Sequence, residues 1–202
     1  MDSIVTRDDM KGMLELSIQD SNWKTFNHIV ISSQEKYLGE LLGYPLYGAF
    51  NTAIIAGGSI PEKWTNLLNG ADYTIEYHDA TLPFHWDGMK NMLKYFMFYD
   101  YLAQTATKNT SEGETKKSNY NSENASAYGR MNDAFLLGWK LYGMPFIEGS
   151  KKQFATQTRK QAERNKLYPS AYNFINAMNE ADSTTYPNWY FTEKTLSNNF
   201  GL

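Results

Sequence analysis

From Met89 to Leu102 the chain offers almost no polar face, and that stretch limits what the rest can be. Met89, Met92, Leu93, Tyr95, Phe96, Met97, Phe98, Tyr99, Tyr101 and Leu102 point in every direction around a helix, and Lys90, Lys94 and Asp100 are its charged interruptions. A helix apolar nearly all round must be packed from several sides. It is also too short and too charged to cross a bilayer, which takes about 20 apolar residues. The pattern predicts a buried central helix over residues 88–104 of a mainly α domain, with no membrane partner.

The elements around it follow from local signals. Thr6 and Asp9 have capping-box spacing ahead of Met10, Met13 and Leu14, which predicts a short first helix. Ser21 or Asn22 caps a longer helix carrying Trp23, Phe26, Ile29, Val30, Tyr37, Leu38, Leu41 and Leu42, with Gly43 at its end. Pro45 suits the first turn of a third helix over residues 46–55, stopped by Gly57 and Gly58. Pro61 opens another, on which Trp64, Leu67 and Leu68 share a face before Gly70. The period then changes from helix to strand. Tyr73, Ile75 and Tyr77 alternate with polar residues, His78-Asp79-Ala80 is turn-prone, and residues 82–86 return, so a β-hairpin spans about 73–86.

Residues 105–126 bring only Ala106, Tyr120 and Ala125 as apolar side chains, too few to pack a core. They are expected to form a long polar arm whose order depends on a neighbour, with Asn109, Tyr120 and Asn121 as contact candidates. A further helix is predicted over 123–142. A basic helical stretch follows, carrying Lys151, Lys152, Arg159, Lys160, Arg164 and Lys166 against the single acid Glu163. A short helix over 170–179 comes next. The last segment, 182–202, holds Tyr186, Trp189, Tyr190, Phe191 and Phe200 with little periodicity, and these aromatics either fold back or dock onto another chain. The expected division is a connector-like domain over 1–142, a basic extension over 143–181 and an extended C-terminal tail over 182–202. Deleting 183–202 is expected to leave a folded monomer that cannot join its assembly.

Composition narrows the function. The chain has 202 residues, enough for a core that needs no metal or disulfide, and it has no Cys, which removes thiolate chemistry. Residues 1–9 carry acids where a signal peptide would be basic and apolar, so assembly in a cytoplasm is expected. Aromatic residues make up 15%, a share that suits interfaces as well as cores. Residues 1–149 hold 18 acidic and 12 basic side chains, whereas 150–202 hold 4 and 7, a polarity that suits contact between copies or layers.

No catalytic constellation emerges. His28, His78 and His85 are the only imidazoles, and no nucleophile elbow or phosphate-cradling glycine loop accompanies them. His78, Asp79, His85 and Asp87 flank the hairpin, but their spacing fits hairpin and helix-cap roles better than a metal site. Neither metal nor cofactor is therefore expected. A DNA-binding module built on the basic stretch, with Tyr168 and Tyr172 for stacking, and a small hydrolase are the alternative readings.

Three motifs in order carry a resemblance. They are Gln34-Glu35-x-Tyr37-Leu38-x-x-Leu41-Leu42-Gly43-x-x-Leu46-Tyr47, then Trp64-x-x-Leu67-Leu68-x-Gly70-x-x-Tyr73, then Trp86-x-Gly88-x-Lys90-x-x-Leu93-x-Tyr95-Phe96-x-x-Tyr99-x-Tyr101-Leu102. With the polar arm and the terminal Phe200-Gly201-Leu202, the chain resembles the head–tail connector proteins of crAss-like and related tailed phages of gut Bacteroidetes. The likeness covers about residues 6–142 and the extreme C-terminus. It implies a structural virion protein of the neck rather than an enzyme, assembled in the host bacterial cytoplasm. It implies a homo-oligomeric ring, dodecameric, stacked between the portal protein and other neck or tail proteins. DNA would pass through such a ring without sequence-specific binding.

Overall fold

A computed structural model describes residues 4–11, 14, 20–55, 59–105, 107–110, 113–116, 127–143 and 168–189. Its first long element, helix α1 (Asp20–Leu42), places Phe26, Ile29, Val30, Ser33, Gln34, Tyr37, Leu38, Leu41 and Leu42 on one buried face. That spacing is the 3.6-residue period of an amphipathic helix. The Gly43 amide closes its last turn on the Gly39 carbonyl at 3.1 Å, and α2 (Tyr44–Ile55) begins at once with Pro45 in its first turn. Helix α3 (Glu62–Asn69) starts after Pro61 and buries Trp64 and Leu67.

Strands β1 (Ala71–Tyr77) and β2 (Ala80–Trp86) pair antiparallel across His78-Asp79, from Tyr77 opposite Ala80 to Ala71 opposite Trp86. Both turn residues have positive φ, 46° and 61°, which marks a type I′ turn. The register puts Tyr73, Ile75 and Tyr77 on the same face as Leu82, Phe84 and Trp86, and Asp72, Thr74 and Glu76 on the other. Helix α4 (Met89–Thr105) follows. Its residues Phe96 to Tyr99 are buried at four consecutive positions, as the all-round apolar pattern requires. Helices α5 (Ala127–Tyr142) and α6 (Ala171–Ala181) complete a mainly helical protein with a small β-hairpin.

The described residues fall into two compact units that interleave along the chain instead of following it in sequence. One comprises residues 1–37 and 93–138. Within it Tyr37 stacks on Phe96 with ring centroids 4.9 Å apart, Phe96 meets Phe135 edge-on at 5.8 Å, and Tyr37 donates to Asp100 at 2.9 Å. The other comprises residues 38–92 and 139–202. Here Phe174 lies 5.4 Å from Tyr73 and 6.2 Å from Trp86, so α6 packs on the apolar face of the hairpin. The Trp86 indole donates to the Leu67 carbonyl at 3.0 Å and fixes the hairpin to α3.

Two expectations change. The capping-box pair is present, since the amide and hydroxyl of Thr6 both donate to Asp9 at 2.7 Å, but they close only a 3₁₀ turn, Arg7–Asp9. Gly12 so close behind disfavours a longer helix. The arm is not structureless either. Strands β3 (Thr107–Thr110) and β4 (Gly113–Lys116) pair antiparallel inside it, because a hairpin ladder is made by backbone groups and needs no apolar side chain. Gly57, Gly58 and residues 123–126, where α5 was expected to start, lie outside the described residues.

Candidate functional site

The sequence nominated an arm, a basic stretch and a tail. Of the arm, Asn109 sits in β3 opposite Glu114, and Tyr120 and Asn121 lie outside the described residues. So do Lys151, Lys152, Arg159, Lys160, Arg164 and Lys166, and Tyr190, Phe191 and Phe200 of the tail. Residues 182–189 are described, and there one of the two fates left open for the tail is realised. Trp189 is fully buried.

That burial is built by local hydrogen bonds. The Asp182 carboxylate accepts from the amides of Thr184 at 3.0 Å and Thr185 at 3.1 Å, turning the chain back after α6. Hydrogen bonds from Thr185, hydroxyl and amide, and from the Thr184 amide hold its pKa below the usual range. Lys63 donates to the Thr185 carbonyl at 2.9 Å and Asn179 to that of Tyr186 at 2.9 Å. The Trp189 ring then lies 5.4 Å from Trp64, 6.0 Å from Phe174 and 4.7 Å from Tyr186. Trp189 is therefore core in this unit, and its ring is not offered to a partner. Burial raises the pKa of the half-buried Tyr186, helped by the nearby charges of Glu62 and Asp182.

The exposed aromatic lies elsewhere. Tyr44, at the α1–α2 corner, is 85% exposed, the most of any large hydrophobic residue described. Along α2 the residues Tyr44, Pro45, Gly48 and Thr52 form the solvent face, and none carries charge. Between Glu40 and Glu62 the sequence has no charged residue at all, and that silence is the signal that could have found this face. A surface without charge is cheap to desolvate, and a rigid Tyr adds contact area at small entropic cost.

The hairpin contributes a second surface. On its polar face His85 Nδ1 lies 2.6 Å from Asp72 Oδ1, with Asp87 Oδ1 4.0 Å from Nε2; all three side chains are more than half exposed. They are a cross-strand pair and its neighbour, the hairpin role expected of His85. His78 and Asp79 form the tip. A cleft of about 240 Å³ separates β1 from α6, lined by Ile75 and Glu76 of β1 and by Tyr172, Asn173, Asn176, Ala177 and Glu180 of α6. Burial drives the Tyr73 hydroxyl up to a pKa of about 12, and the Ser170 backbone offsets part of the rise.

No helix of the described residues is long and apolar enough to cross a membrane, and no group of three potential metal ligands occurs among them. No protein-family model, no curated protein and no solved structure matches this chain.

Proposed function

We propose that this chain is a structural subunit of a phage neck, a head–tail connector whose copies form a ring between the portal and the next neck or tail layer. Two kinds of support meet. The ordered motifs from Gln34 to Leu102 resemble that family, and the mainly helical fold with its small β-hairpins is the kind of body such a subunit needs. The observation that carries the reading is the uncharged α2 face with Tyr44 standing 85% exposed at its corner. Large exposed aromatics on charge-free surfaces mark protein interfaces. In this reading the ring, expected to be dodecameric, continues the DNA channel and offers the tail a platform, and the work of the protein is assembly.

Native mass measurement of the chain alone, and mixed with a portal ring, tests this. The expected result is a ring-sized species stacked on the portal, weakened by Tyr44→Asp. A wild-type chain that stays monomeric beside the portal ring and is missing from purified particles would overturn it.

A further inference from the structure

The sequence contains one Asn-Gly pair, Asn69-Gly70, and one Asp-Gly pair, Asp87-Gly88. They flank the two ends of the β1–β2 hairpin, and the fold lays one against the other. A β-carbon built on Gly88 would meet the Asn69 carbonyl carbon at 2.6 Å and the Gly70 nitrogen at 2.8 Å. One built on Gly70 would meet the Asp87 carbonyl carbon at 3.1 Å and the Gly88 nitrogen at 3.3 Å. The contact is reciprocal and made of backbone. Both pairs are also of the kind most prone to close a succinimide, because a glycine after Asn or Asp leaves its nitrogen unhindered and its backbone free to turn.

At Asn69 that reaction joins the Gly70 nitrogen to the side-chain Cγ; the side-chain amide leaves as ammonia and carries off the Gly70 amide proton. Water then opens the cyclic imide at one of its two carbonyls. One opening gives aspartate, the other isoaspartate, which has an extra methylene in the main chain. At Asp87 the Gly88 nitrogen bonds to Cγ in the same way, water is the leaving group, and hydrolysis returns it.

The carbons under attack are open, whereas the backbone that must attack is clamped. Asn69 is exposed, and the Asp87 side chain is 55% exposed. The Gly70 amide, however, donates to the Asn66 carbonyl at 3.0 Å as the cap of α3. Asn69 is the last residue of that helix, and ring closure requires its backbone to rotate away from the helical conformation. The hairpin base packed on Gly70 resists that rotation, and it is held down by the Trp86 indole on the Leu67 carbonyl and by the pairing of Ala71 with Trp86.

We propose that the hairpin base is a gated modification site, at which Asn69-Gly70 and Asp87-Gly88 protect each other while the hairpin is seated and both react once it lifts from α3. An isoaspartate at either position puts an extra methylene into a contact that does not admit a methyl group on either glycine, so a converted base cannot close again. Opening is thereby made irreversible, which limits the lifetime of the folded chain by covalent chemistry and independently of any assembly.

Incubation of the full chain in heavy-oxygen water tests this, since each imide hydrolysis leaves one heavy oxygen in the product and peptide mapping assigns it to residue 69 or 87. Both positions should take up label at least about tenfold faster in urea than in native buffer, because a reaction confined to the open state follows that state's population. Gly88→Ala, which loosens the base without altering Asn69 or Gly70, should speed labelling at residue 69 in native buffer by about tenfold. Should that variant not fold, Trp86→Phe, which removes the indole bond to Leu67, takes its place. Chains with isoaspartate at residue 69 should fail to regain the native unfolding midpoint once urea is removed. Equal labelling in urea and native buffer, or none in either, would overturn the gate. Unchanged labelling at residue 69 in the folded, loosened variant would overturn the mutual protection. Isoaspartate chains that refold to the native midpoint would overturn the irreversibility.

Discussion

A methyl group added to Gly88 would sit 2.6 Å from the Leu68 carbonyl oxygen and 2.8 Å from the Gly70 amide nitrogen; one added to Gly70 would sit 2.4 Å from the Trp86 carbonyl oxygen. Both glycines have positive φ, 104° and 89° for Gly70 and Gly88. They let the chain enter and leave the hairpin back to back, which is why the sheet meets α3 and α4 where it does. Gly88→Ala is therefore expected to cost more than about 2 kcal/mol in denaturant unfolding. Gly129 is an exposed helical position where a methyl meets nothing within 4 Å, and Gly129→Ala should instead gain roughly 0.5–1 kcal/mol. Tyr73 adds a pH dependence. Burial raises its pKa from 10.0 to about 12 in the folded protein. The proton is thus held more tightly in the folded state, so this contribution to stability is complete below about pH 10 and is lost as the pH climbs through about 12. Unfolding measured across that window should show a shallower alkaline loss for Tyr73→Phe than for the wild type. Equal slopes would mean that Tyr73 does not set it.

Among the elements, those with a period of their own were legible from sequence: α1, α3, α4, the β1–β2 hairpin and α6, each within a few residues of its bounds. Their apolar spacing and their Pro, Gly and Ser punctuation are local. What was not legible has a physical cause in each case. The β3–β4 ladder joins Thr107–Thr110 to Gly113–Lys116 through backbone alone, so no apolar alternation announces it. Tyr44 is conspicuous only once the face of α2 is known to lie in solvent. The fate of Trp189 depends on Asn179 and Phe174 of the preceding helix and on Lys63, far away in sequence, a combination no local pattern announces. That last point changes an experiment. Removing 183–202 deletes a fully buried indole together with the turn that delivers it, and should destabilise the protein by about 3–5 kcal/mol, the cost of losing a core Trp. Removing only 190–202 spares Trp189. Thermal unfolding should show a larger drop in midpoint for the long truncation than for the short one. Equal midpoints would mean that the indole contributes nothing the rest of the unit lacks.

At the scale of the whole molecule, the boundaries between the two compact units fall between residues 37 and 38, 92 and 93, and 138 and 139. Each boundary lies inside a continuous helix, α1, α4 or α5, and none lies in a linker. Separate domains are joined by exposed segments with few hydrogen bonds, and they unfold separately. A boundary inside a helix is different, because melting one side frays backbone hydrogen bonds that the other side needs. The expected behaviour is one cooperative transition. The sequence provides a probe for each part. Trp64, Trp86, Trp139 and Trp189 belong to the unit of residues 38–92 and 139–202, and Trp23 is the single tryptophan of the other. Tryptophan emission therefore reports mainly on one unit, and helical circular dichroism reports on both. The two signals should lose their native values at the same denaturant concentration, and the calorimetric and van't Hoff enthalpies should agree, with a ratio of about 1. Proline at Lys94, a half-buried position inside α4 just past the boundary, should cost about 3 kcal/mol or more and move both signals together. Emission and circular dichroism that separate, in the wild type or in Lys94→Pro, would show that the shared helices do not couple the units.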